Sequence, residues 1–138
     1  MNQTYQELMN QLRTIASRLA DARKNYDDAR KALDMCKRNV EGEKAEIVIS
    51  AGGYSALGKN AEDREYRLVE LTRNSSHYTA ALATQRSAEN VEMDAKRQLE
   101  DLKTEFDSIR IQASLQGDFL RYSALVASKP EAADLLDL

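Results

Sequence analysis

YQELMNQLRTIASRLADARKNYDDARKALDMCKRNVEGEKAEI, residues 5–47, carries apolar residues on a 3-4-3-4 ladder. One set of rungs is Tyr5, Leu12, Leu19, Tyr26, Leu33, Val40 and Ile47, each seven residues from the next. The other is Leu8, Ile15, Ala22, Ala29 and Cys36, and it fails at Glu43 and Ser50. A helix with an apolar stripe every 3.5 residues buries that stripe against another helix by left-handed supercoiling. The stretch therefore predicts a coiled-coil helix.

The helix is expected over residues 4–49, opening with the capping-box spacing of Thr4 and Glu7. At 1.5 Å per residue this is a rod of roughly 70 Å, weakened locally by Gly42. Residues 50–60, which contain Gly52, Gly53 and Gly58, break the periodicity and form a tip loop. Asn60 is placed to cap a short helix over residues 61–72, with Glu62 and Asp63 near its positive end. Arg73-Asn74-Ser75-Ser76 marks a second break. A long helix over residues 76–127 follows, carrying Tyr78, Leu82, Ala88, Val91, Ala95, Leu99, Leu102, Phe106, Ile109 and Ala113. The 4-4 step through Val91, Ala95 and Leu99 reads as a stutter, and Gly117 as a kink. Pro130 ends the helix. Residues 130–138 form an acidic, leucine-rich tail.

Two long helices of nearly equal length, joined by a compact tip, predict an all-α antiparallel hairpin occupying residues 1–129 as one domain. If Ser50 meets Ser76, residue i faces roughly residue 126 − i. The dibasic steps Arg23-Lys24, Arg30-Lys31 and Lys37-Arg38 then face a stretch holding Glu89, Glu92, Asp94, Glu100 and Asp101, so interhelical salt bridges are expected. Tyr66, Val69, Leu120 and Val126 find no cover in a two-helix pair. A homodimer or higher oligomer follows.

Composition narrows the function. The chain has 138 residues, 31% of them charged, one proline, two phenylalanines, no tryptophan and a net charge of −3. Such material suits a solvated helical protein better than an aromatic-cored globule. No apolar run approaches the ~20 residues of a membrane span, and residues 1–19 lack the pattern of a signal peptide. The single cysteine, Cys36, has no internal disulfide partner. A reduced, cytoplasmic protein without membrane association is expected.

Gly53-Tyr54-Ser55-Ala56-Leu57-Gly58-Lys59-Asn60 has phosphate-loop spacing, with Asn60 where Ser or Thr should hold magnesium. Nothing downstream reads as the strand that such a site requires. A glycine-bearing turn with a helix cap is the expectation. His77 is the only histidine, so zinc is not expected, and no other cofactor is implied. Tyr54, Leu57 and Lys59 at the tip, with Leu135, Leu136 and Leu138 in the tail, are candidate partner-binding residues. The tail resembles peptide motifs that dock in apolar grooves, including those that bind the bacterial sliding clamp. The ladder Arg23, Lys24, Arg30, Lys31, Lys37 and Arg38 could instead track a nucleic-acid backbone, although Asp27, Asp28 and Asp34 lie between its steps.

Leu57-Gly58-Lys59-Asn60-Ala61-Glu62-Asp63-Arg64, followed by Leu71-Thr72 and Tyr78, resembles small coiled-coil proteins of phages and prophages that share a Gly-Lys-Asn-x-x-x-Arg turn between long helices. The resemblance implies a phage accessory protein made in a bacterial cytoplasm, and it brings no catalytic residues. The leading expectation is thus a non-enzymatic module that binds itself and an unidentified protein partner, such as a host factor or an assembly component. The alternative is a nucleic-acid-binding accessory factor in phage replication or recombination.

Overall fold

The computed structural model describes residues 4–127, which contain helix and no strand. Helix α1 spans Tyr5–Ser50, a short 3₁₀ turn Tyr54–Leu57, α2 Ala61–Asn74 and α3 Ser76–Ala127. Each helix starts where its sequence supplies a cap. The Glu7 amide donates to Thr4 Oγ1 and the Thr4 amide to Glu7 Oε2, both at 3.2 Å. This reciprocal pair satisfies two amides at the start of α1. Ser75 Oγ accepts from the Tyr78 amide at 3.2 Å and opens α3. α2 runs two residues beyond the expected end at residue 72, and the break before α3 shrinks to Ser75 alone. α3 remains helical through Gly117, so that glycine does not end or divide it.

The chain forms two compact units. One takes Met1–Arg23 with Gln98–Leu138, and the other takes Lys24–Arg97. In the first, Leu8, Ile15, Leu19 and Ala22 of α1 are buried, as are Leu99 and Ala113 of α3, with Leu102, Phe106 and Ile109 half-buried. Gly117 belongs to this packing: a Cβ added there would sit 3.4 Å from the Tyr5 ring. Tyr5 thus lies one helical turn short of Arg121, its expected neighbour. Val126, expected to lack cover, is only 9% exposed.

In the second unit Ala29, Leu33 and Val40 are buried, with Tyr26, Cys36, Glu43 and Ile47 half-buried between and beyond them. The 3-4 rhythm of α1 therefore continues through Glu43, where the apolar pattern lapses. On α3 the half-buried positions Tyr78, Ala81, Gln85, Ala88, Glu92 and Ala95 keep a 3-4-3-4-3 spacing, with Leu82 and Glu89 half-buried beside them. The expected stutter is therefore corrected: Val91 is 59% exposed and Glu92 takes its place on the packed face. Glu and Gln can occupy such positions because their methylene stems pack while the polar ends reach water.

The expected interhelical salt bridges are also corrected. Among the described residues the ion pairs are Arg67–Glu70, Asp94–Arg97, Asp107–Arg110 and Asp118–Arg121, each between residues three apart in one helix. Arg23, Lys24, Arg30, Lys31, Lys37 and Arg38 are all exposed and none joins them. Lys24, Lys31 and Arg38 each follow a packed rung by two residues, so they lie about 200° round the helix from it. Arg30 stacks over the Tyr26 ring at 5.6 Å.

Candidate partner-binding tip

The end of α1 is closed by its own carbonyls. The Gly53 amide donates to Val48 O at 2.9 Å and the Gly52 amide to Ile49 O at 3.0 Å, the paired bonds of a glycine-terminated helix. Gly52 and Gly53 have φ of +96° and +104°, which L side chains rarely adopt. The Ala56 amide then donates to Gly53 O at 3.1 Å and starts the 3₁₀ turn. A phosphate loop would need these amides free and a strand before them. Here they are engaged, and Ile47-Val48-Ile49 is helical.

Each named residue of the Gly-Lys-Asn-x-x-x-Arg turn, except one, has a structural duty. Gly58 is extended, but a Cβ there would meet Asp63 Cβ at 2.7 Å and the Arg64 amide nitrogen at 3.0 Å. Only glycine allows α2 to start so close. Asn60 Oδ1 accepts from the Asp63 amide at 2.8 Å and caps α2. Arg64 reaches back, its Nε–H donating to Gly58 O at 3.0 Å. Lys59 is the exception. It is exposed, and no hydrogen bond or ion pair engages it among the described residues.

Tyr54 is 42% exposed and held from two sides. Its hydroxyl donates to Glu65 Oε1 at 2.9 Å, and the Arg64 guanidinium lies 5.8 Å from its ring centre. The hydrogen bond to Glu65 raises the phenol above its ordinary pKa, helped by loss of solvent and the Glu65 charge and opposed by Arg64. Leu57, expected to be a partner contact, is 7% exposed. That expectation is corrected: Leu57 walls a cavity of about 530 Å³ with Ile47, Ala51, Ala56 and Leu71, and it anchors the turn to the helices. Leu135, Leu136 and Leu138 lie outside the described residues.

The structure adds Tyr66 and Val69, 76% and 52% exposed on the side of α2 away from buried Leu68. Their lack of cover was legible in the apolar pattern, and so was their place on the short helix at the tip. No helix of the described residues is long and apolar enough to cross a membrane. Comparison with protein-family models, curated proteins and solved structures finds no match to the chain.

Proposed function

We propose that the protein is an antiparallel helical hairpin that acts as a non-enzymatic interaction module, presenting its tip to a protein partner. The antiparallel reading draws support from Tyr5 lying against Gly117, and from a cavity that Asn39, Gly42 and Glu46 line together with Thr84, Ala81 and His77. The observation that carries the functional reading is the state of the tip. Its glycines, Asn60 and Arg64 fix a rigid turn, while Tyr54 and Lys59 remain open to solvent on it. A pre-oriented aromatic ring beside a cation is a low-entropy anchor for a protein surface. Its natural setting, following the resemblance of the turn, is a phage accessory role in a bacterial cytoplasm.

The test is affinity capture from phage-infected bacteria with wild type and a Tyr54→Ala/Lys59→Ala variant of equal helicity. A defined protein retained by wild type and lost with the variant supports the reading. Equal capture by both refutes the tip as the contact.

The exposed ladder favours one second reading. Six cations without ion-pair partners among the described residues could follow the phosphates of a nucleic acid. A gel shift that weakens steeply with salt, and vanishes in Lys31→Glu/Arg38→Glu without loss of helicity, would decide for it.

A further inference from the structure

Ile111, Leu115, Phe119 and Tyr122 of α3 are 56%, 65%, 64% and 53% exposed. At 100° per residue they share one strip about 80° wide. Buried Ala113 and Gly117, which faces Tyr5, lie on the opposite side of the helix. From Ile111 to Tyr122 the strip is therefore a second apolar face, turned away from the packing of Ala113 and Gly117, while Val126, one turn further along the same line, is buried.

The charges beside this strip carry a pattern. Asp107 and Arg110 pair at 3.6 Å, and Asp118 and Arg121 at 3.1 Å, all well exposed and on one side of the strip, the aspartates bordering it and each arginine one step further round the helix but held to its aspartate. Along the chain their signs run minus, plus, minus, plus. Read backwards, every sign is reversed. A copy of the helix running the opposite way, with its two-fold axis near residue 114, sets Arg121 opposite Asp107 and Asp118 opposite Arg110. In antiparallel helix pairs like flanks meet, so all four contacts are attractive. In a parallel copy unlike flanks meet, so these four charges would find no partner among themselves. The same axis brings Leu115 within a turn of its symmetry mate and Ile111 within a turn of the second copy's Phe119.

We propose that this face of α3 is a self-association surface, occupied by α3 of a second copy of the chain in antiparallel, two-fold register. The pairing deepens the interaction-module reading by naming one partner, the chain itself, and it uses a surface separate from the tip.

The full-length chain, followed by sedimentation equilibrium with circular dichroism as the folding control, tests this. Wild type is expected to dimerise at micromolar concentration. Leu115→Glu should weaken the dimer about a hundredfold, because each dimer gains two charges in an apolar contact. Arg110→Asp should weaken it about tenfold through two lost ion pairs and two new repulsions. Arg110→Asp combined with Asp118→Arg should recover the wild-type association, although it breaks both pairs within the helix. A role confined to intrahelical pairing predicts the reverse, a double variant worse than the single one. A wild-type monomer, whether its strip is covered by the C-terminal tail or left for another protein, overturns the proposal, as does a dimer indifferent to Leu115→Glu. Partner capture lost only with the Tyr54/Lys59 variant would still stand in that case, so the two readings fail separately.

Discussion

Gly58→Ala is the sharpest test of how the tip is built. The added methyl would lie 2.7 Å from Asp63 Cβ and 3.0 Å from both Asp63 C and the Arg64 nitrogen. Two of these three neighbours are backbone, so no side-chain rotation relieves the contact. The first turn of α2 must move away, stretching the Asn60 cap and the bond from Arg64 to Gly58 O. Overpacking of this kind costs about 1–3 kcal/mol, and a weakened cap adds about 1 kcal/mol. Backbone strain contributes nothing, since Gly58 is extended with φ 176°. Gly42→Ala is the internal control, because a Cβ there meets nothing within 4 Å inside a helix. It should stabilise by about 0.5–1 kcal/mol through lower chain entropy and better helix propensity. Urea unfolding monitored at 222 nm, with hydrogen exchange on α2, reads both. Opposite signs are expected. A Gly58→Ala protein as stable as wild type, with unchanged protection in α2, refutes the close approach at the tip.

Leu19 is 7% exposed on the packed face of α1, so Leu19→Asp should cost about 3–5 kcal/mol and lower the thermal midpoint sharply; an unchanged melt would contradict the packing. Asn60→Ala should cost about 1 kcal/mol, with faster exchange at the start of α2 and little change elsewhere. Tyr54 has its pKa raised above 10.0 by the Glu65 hydrogen bond, so its contribution to stability holds below that pH and fades as pH rises through the folded value. Alkaline absorbance titration of wild type, Tyr54→Phe and Glu65→Gln checks this: the transition missing in the phenylalanine variant should move to lower pH in the glutamine variant.

Much of the fold was legible because its determinants are local. The heptad rungs from Leu8 to Ile47, the Thr4–Glu7 capping box, the Asn60 cap and the glycine turn depend on residues within one or two turns of each other. Backbone sterics and helical periodicity act at that range, so helix positions and the buried stripe of α1 follow from the chain alone. Of the candidate residues, Tyr54 and Lys59 lie exposed at the turn, a position that the glycines around them made legible.

What only the tertiary structure decided depends on a neighbouring helix whose offset no local pattern encodes. Glu92 rather than Val91 faces inward, since the packed side of α3 is set by its contacts and not by its most apolar residues. Leu57 is buried because α1 and α2 converge on it, a meeting that apolarity near a glycine could not reveal. The ladder from Arg23 to Arg38 lacks the acidic partners proposed for it, because its cations flank or oppose the packed face and a register displaced by one turn changes every facing pair. Gly58 looked like one more loop glycine until the 2.7 Å approach of Asp63 gave its reason. Distance between segments is a property of the folded chain, and sequence pattern constrains it only through the elements that it brings together.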